Sequence, residues 1–138
     1  TLTYTATDTA GNAATPVQRT VTVVIDDAAV TGADGLSPLL RYAFGASSPT
    51  DAVQLPVPGS TATALSLTAV VRTDDPALAV VGEAVTDLAG TWGTGGAVSV
   101  TLAADQTGLP AGCVRRVFTV QLDGAARKFL RLRATFAN

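Results

Sequence analysis

One helical segment, in a chain that otherwise alternates like a β protein, most limits how this sequence can fold. Residues 33–49 carry an apolar stripe at the three- and four-residue spacing of one helix face. The stripe consists of Leu36, Leu39, Leu40, Ala43 and Phe44. A helix of about two and a half turns is marginal alone. We therefore expect it to lie as a lid on a β core formed by the following residues.

The ends of this helix also have sequence signals. Asp34 or Ser37 can cap its N-terminus, and Pro38 suits a first helical turn. Gly45 stands where a left-handed C-terminal cap is expected.

Six strand candidates follow the helix, separated by turn residues. They are residues 53–57, 62–72, 78–85, 97–103, 114–122 and 128–136. Prolines interrupt the first, which suits only a sheet edge. The third is nearly all apolar and predicts a central strand buried on both faces. Turn signals roughly every 8–12 residues favour a sandwich. The predicted fold class is mainly β: an antiparallel β-sandwich with one short helix.

The first 25 residues predict a β-hairpin with its turn at residues 8–12. The chain begins inside an alternating pattern and lacks Met, so we expect it to be the C-terminal piece of a longer protein. We divide it into the end of a truncated domain at 1–26, a linker with the helix at 27–50, and a β-sandwich module at 51–138.

Composition limits the classes of partner. Hydrophobic residues make up 47% of the chain and charged residues 14%, which supports a real core. The net charge of −2 provides no long-range attraction for nucleic acid. No apolar run approaches the roughly 20 residues of a membrane span.

Two parts of the sequence resemble segments of large extracellular bacterial proteins. The hairpin sequence Y-T-A-T-D-T-A-G-N, followed by T-V-T-V-V, resembles the closing hairpin of bacterial Ig-like and hyalin-type repeats. The helix sequence D-G-L-S-x-L-L-x-Y-A-x-G-x-x-x-P resembles the segment before the C-terminal module of very large secreted bacterial proteins.

Two later stretches resemble that same C-terminal module. They are V-V-G-E-A-V-T-D-L-A-G-T-W and R-K-F-L-R-L-R-A-T-F. Relatives usually carry a β-branched or aromatic strand where this chain has Gly82, Glu83 and Ala84. The resemblance implies a β-sandwich module that is extracellular or at the cell surface, with the upstream domains of the same polypeptide as its partners.

The sequence contains little that would support a metal site or a catalytic nucleophile. An EF-hand register on Asp34 and Gly35 places Arg41 where a carboxylate is needed, so Asp34 is interpreted as a helix cap. The absence of His excludes histidine triads and the usual zinc sites. Arg115 and Arg116 can lower the pKa of Cys113, but we interpret Cys113 as a quiet, partly buried thiol. We predict no catalytic, cofactor or metal residues.

Carboxylates and glycines have ordinary structural interpretations. Glu83 is the only Glu, and most Asp residues fall in turn sequences. A catalytic domain would depend on Glu83 or Asp87, which we give little weight. Residues 93–96 are Gly-rich without the lysine of a phosphate loop, so a hairpin loop is predicted.

Three residues are candidate ligand contacts. Arg131 and Arg133 alternate with leucines near the C-terminus. They form either a solvated strand face that discourages aggregation, the interpretation we favour, or a patch for an acidic glycan or lipopolysaccharide. Trp92, and more weakly Tyr42, is either a sugar-stacking platform or a packing residue.

These observations predict a non-catalytic structural or adhesion module. The alternative is a carbohydrate-binding module appended to an exported hydrolase, with a cell-surface glycan as its ligand. Binding to a glycan array that depends on Trp92 distinguishes the two.

Overall fold

The computed structural model describes residues 2–4, 7, 9–15, 17–19, 35–48, 50–93 and 97–137. Its elements in chain order are β1 (Leu2–Tyr4), β2 (Val17–Arg19), α1 (Pro38–Ala43), β3 (Val57–Ser60), β4 (Ala64–Arg72), β5 (Leu78–Val85), β6 (Val98–Leu102), β7 (Cys113–Gln121) and β8 (Phe129–Phe136).

Strands β3 to β8 form two antiparallel sheets. One has four strands in the order β3-β4-β7-β6, and the other has two, β5 and β8. This arrangement is consistent with a β-sandwich, so the predicted mainly β fold class with one short helix is confirmed. Strands β1 and β2 pair antiparallel, and Thr7 bridges Ala13 beyond them, as a hairpin requires. The Ig-like character of the hairpin and the three-part division of the chain remain predictions.

The core lies between the sheets because alternate side chains of each strand point to one face. Phe118 and Val120 of β7 are fully buried, and Val71 of β4 is nearly so. Val80 of β5 and Leu132 of β8 pack against this cluster from the other sheet.

Helix α1 is shorter than predicted but has the expected ends. Ser37 is its N-cap, and its hydroxyl accepts a hydrogen bond from the Leu40 amide at 3.3 Å; Asp34 lies outside the described residues. Gly45 follows the helix at φ +95°. The amides of Gly45 and Ala46 donate to the carbonyls of Tyr42 and Arg41, each at 3.0 Å. This pair of bonds is the Schellman motif.

The apolar stripe of α1 lies on the β core as predicted. Leu39 and Ala43 are buried against Ala134 of β8, and Phe44 joins the cluster around Phe118. The helix spans only six residues, fewer than two turns. Its position therefore depends on these contacts more than on its own hydrogen bonds.

Two strand predictions are corrected. The strand predicted at 53–57 begins only at Val57, because Val53 packs into the core cluster and the chain becomes an edge strand after Pro56. The strand at 78–85 is not central: among the described residues β5 pairs with β8 and otherwise makes a single bridge, from Ala84 to Gly93. One of its faces meets the core, and the other carries Glu83.

Most of the hairpin loop predicted at residues 93–96 lies outside the described part of the chain. The strands before and after it are β5 and β6. These two strands belong to different sheets. Gly93 bridges β5, and residues 94–96 lie outside the described part of the chain.

Gly82 lies where the two sheets approach each other closely. A Cβ atom built on Gly82 would lie 2.6 Å from Val98 Cγ1 and 3.2 Å from Phe118 Cδ1. A side chain there would force β5 away from the four-stranded sheet. This contact gives a reason for a glycine at this position of the strand.

We predict that Gly82→Ala destabilises the fold by about 1–3 kcal/mol through overpacking, measured by urea unfolding. Gly93→Ala is the matched control, because a Cβ there has no atom within 4 Å. Equal effects of the two substitutions would show that the sheet-to-sheet contact does not limit stability.

Candidate functional site: a buried carboxylate beneath two arginines and a tryptophan

The outer face of the two-stranded sheet carries an unusual group of charges. Glu83 of β5 lies opposite Arg131 of β8, and Val81 lies opposite Arg133. Because Gly82 faces the core, its neighbour Glu83 points to the other side of the sheet. Directly opposed residues of an antiparallel pair share a face, so both arginines lie on the same side as Glu83.

Glu83 is buried although it lies on the outer face. Its side chain is 3% exposed, whereas those of Arg131 and Arg133 are 47% and 54% exposed. Arg131 Nε and Nη2 lie 2.8 and 2.7 Å from Glu83 Oε2. Arg133 Nη1 donates to Glu83 Oε1 at 3.3 Å. Both carboxylate oxygens therefore have a charged donor.

Trp92 completes this group from the connection between β5 and β6. The Arg131 guanidinium carbon lies 4.2 Å from the centre of the Trp92 ring, which is cation–π geometry. The next residue, Gly93, accepts a hydrogen bond from the Ala84 amide at 3.2 Å. This bond attaches the connection to β5 and holds the half-buried Trp92 beside β8. We call Glu83, Trp92, Arg131 and Arg133 the arginine cluster.

The charge state of Glu83 follows from these contacts. Burial is the largest single influence on its pKa and raises it, but hydrogen bonds and charge from Arg131 and Arg133 together outweigh burial. The pKa of Glu83 therefore lies below its ordinary value. The carboxylate is ionised at neutral pH, which suits holding the arginines in place and does not suit donating a proton. The cluster keeps one net positive charge.

The structure brings together the three residues predicted as ligand contacts. Arg131 and Arg133 are half exposed, as a solvated strand face requires, but both also bind Glu83. Glu83 is the shared partner of both arginines, a role that its interpretation from the sequence as a candidate catalytic acid does not include. A signal was present: a single Glu in an apolar strand, and an Arg-rich strand later in the chain that can pair with it.

Tyr42 makes different contacts, and these join the helix to β4. Its hydroxyl donates to Asp75 Oδ2 at 2.9 Å, and the guanidinium carbon of Arg72 lies 4.3 Å from its ring centre. Arg72 also donates to the carbonyls of Tyr42 and Ala46 at 3.1 and 2.9 Å. Burial, followed by the hydrogen bond to Asp75, raises the pKa of Tyr42. A cation at carbonyls of the helix C-terminus is favourable, so this group has a structural role.

Cys113 is the partly buried thiol that we favoured in the sequence, and neither Arg115 nor Arg116 lowers its pKa. Burial raises the pKa of this partly buried thiol, and the charges that act on it belong to Arg72 and Asp74. Arg115 instead binds Asp105, with its Nη1 at 2.7 Å from both the carbonyl oxygen and Oδ2. Arg116 is the next residue on β7, so its side chain points to the face of the sheet opposite to that of Arg115.

Aspartates in the described chain act mainly in turns, as predicted. Asp51, Asp75, Asp87 and Asp105 each accept a hydrogen bond from a backbone amide within four residues. Within the described ranges there is no group of three or more side chains able to hold a metal ion. Nor does that part of the chain contain a helix of the length and apolarity needed to cross a membrane.

We predict that Glu83→Gln destabilises the fold at neutral pH by about 1–3 kcal/mol, less than for a fully buried pair because the arginines are half exposed. Wild-type stability should fall as the pH drops below about 4.3, where an unfolded glutamate binds a proton but folded Glu83 does not. The loss should continue until the pH passes the lowered folded-state pKa. Urea unfolding at neutral pH and at about pH 3 measures both effects.

Asp105→Asn serves as the control for this pH dependence. Hydrogen bonds from Thr107 are the main cause of the lowered pKa of Asp105, and Asp105 makes no contact with Glu83. The control should keep the part of the acid sensitivity that Glu83→Gln removes. If Glu83→Gln and the wild type lose equal stability on acidification, the arginines do not hold Glu83 ionised.

Comparison of the chain with protein-family models, curated proteins and solved structures found no match. Function must therefore be inferred from the side chains and from the sequence resemblances.

Proposed function

We propose that this chain is a non-catalytic structural or adhesion module at the C-terminus of a large secreted or cell-surface bacterial protein. The observation that carries the proposal is how the Glu83 carboxylate is bound. Both oxygens of this sole glutamate bind arginines, so it is held as an ionised structural anchor. The aspartates that accept turn amides have similar structural roles.

The sequence resemblances support the location. The hairpin pattern resembles extracellular Ig-like and hyalin-type repeats, and the helix and late strands resemble the C-terminal module of very large secreted proteins. A sandwich of small aliphatic side chains suits a spacer or attachment domain. Its partners in this proposal are the upstream domains of the same polypeptide.

A turnover assay tests the non-catalytic part of the proposal. We expect the purified chain to show no hydrolysis above buffer with chromogenic glycosides, carboxyl esters and phosphate esters. Asp87→Asn, in an exposed turn, and Glu83→Gln are the diagnostic variants. Turnover by the wild type that a folded form of either variant lacks would contradict the proposal.

A second candidate is a carbohydrate-binding module appended to an exported hydrolase. The arginine cluster favours it, because a half-buried indole and two half-exposed guanidiniums share one surface. Aromatic rings stack on sugar faces, and guanidinium groups bind carboxylates and sulfates. The matching ligand is an acidic cell-surface glycan.

A glycan array distinguishes the two candidates. If the module binds glycan, Trp92→Ala should weaken binding about tenfold through lost stacking. Leu88→Ala is the matched control, since Leu88 is 61% exposed in the same connection but has no ring. Binding that Trp92→Ala loses and Leu88→Ala keeps would establish the carbohydrate module. An array without binding would support the structural module.

A further inference from the structure

Strand β6 has an edge that no other described strand pairs with. In the part of the chain that the structure describes, β6 pairs with β7 on one side and with no strand on the other. The Ala103 amide donates to the Arg115 carbonyl of β7 at 2.9 Å. Because bonding direction alternates along an antiparallel strand, Ser99 and Thr101 also bond toward β7. The amide and carbonyl groups of Val98, Val100 and Leu102 therefore point outward.

The two edges of the four-stranded sheet differ in how they are protected. Strand β3, at the other edge, contains Pro58 and follows Pro56, and prolines discourage further strand pairing. Strand β6 has the sequence V-S-V-T-L, without proline or charge, and is flanked by alanines. Nothing in its composition blocks the addition of another strand.

The side chains of β6 are also incompletely covered. Val100 lies opposite Phe118 and so is on the core-facing side of the sheet, yet it is 46% exposed, and Leu102 is 66% exposed. Val98, by contrast, meets Gly82 of β5. The two-stranded layer thus covers the start of β6 and leaves its second half open on the apolar face.

The sequence of β6 is complementary to itself in the antiparallel direction. A two-fold axis at Val100 places Val98 opposite Leu102 of a second copy, Ser99 opposite Thr101, and Val100 opposite its equivalent. Apolar residues then meet apolar residues and hydroxyls meet hydroxyls, with no like-charge contact. The outward-pointing residues, Val98, Val100 and Leu102, become the hydrogen-bonded pairs of that register.

We propose that β6 pairs with β6 of a second copy of this chain, joining two four-stranded sheets into one of eight strands. The interface is isologous, because a two-fold axis brings the same surface of both copies together. It sets the exposed Val100 side chains of the two copies opposite each other, and each exposed Leu102 opposite Val98 of the other copy. A five-residue edge buries little area, so the dimer belongs to the weak, transient class. This inference goes beyond the proposed function and does not depend on it.

Sedimentation of the full chain over micromolar to millimolar concentrations tests the proposal. We expect a concentration-dependent monomer–dimer equilibrium. Val100→Lys should leave only monomer, because two charges would oppose each other at the axis, while thermal unfolding shows that the variant still folds. Val57→Lys is the matched control: Val57 is 63% exposed on β3, the opposite edge, and its variant should dimerise like the wild type.

Two results would overturn the proposal: a wild-type chain that is monomeric throughout, or a dimer that Val57→Lys disrupts as strongly as Val100→Lys. Should the lysine variant of β6 fail to fold, the crosslinking experiment below decides the question alone.

Disulfide crosslinking tests the register in a Cys113→Ser background. Ser99 of one copy and Thr101 of the other would form a non-hydrogen-bonded pair. Their Cα atoms would lie about 4.5 Å apart, which is within the range of a disulfide. A size-tagged Ser99→Cys chain mixed with an untagged Thr101→Cys chain should give a mixed disulfide dimer on oxidation. Each variant alone should give none, since like positions are offset by two residues. Equal crosslinking in the mixture and in the separate variants would contradict this pairing.

Discussion

The close contact at Gly82 determines how the two sheets fit together. Because Gly82 has no side chain, β5 approaches until Val98 and Phe118 occupy the space beneath it. Phe118 is fully buried and belongs to the same cluster as Phe44, the last apolar residue of the helix stripe. The positions of the two-stranded sheet and of helix α1 therefore both depend on contacts with the Phe118 side chain.

The arginine cluster follows from the alternation of side chains between the two faces of β5. With Gly82 directed to the core, Glu83 must point outward, where a carboxylate would normally be hydrated. Instead Arg131 and Arg133 approach from β8, and Trp92 covers Arg131 from the neighbouring connection. The strand pairing supplies the charge partner in the register that places Glu83 opposite Arg131. In this register the buried carboxylate has charged partners, whereas an unpaired buried charge would be strongly destabilising.

The unequal size of the two layers explains what remains exposed. Helix α1 extends the two-stranded layer beside β8 and packs against β4 and β8. Arg72 holds its C-terminal end through hydrogen bonds to the carbonyls of Tyr42 and Ala46. No described element does the same beyond β5 at the other side. Among the described residues, the second half of β6 therefore has exposed apolar side chains and no strand partner at one edge, and the proposed pairing with a second copy depends on this property.

The sequence by itself determined the local elements of this protein. The positions of β4, β5, β7 and β8 agree with the predicted strands to within two residues at each end, and Ser37, Pro38 and Gly45 act at the helix ends as predicted. These features depend on residue alternation and on backbone preferences within a few residues. Only the tertiary structure decided that β5 lies in a two-stranded sheet. It also decided that Glu83 binds Arg131 and Arg133, about fifty residues later in the chain, and that Trp92 stacks on Arg131. Those contacts depend on which strands pair and in which register, and pairing over such separations is set by how all the layers pack together.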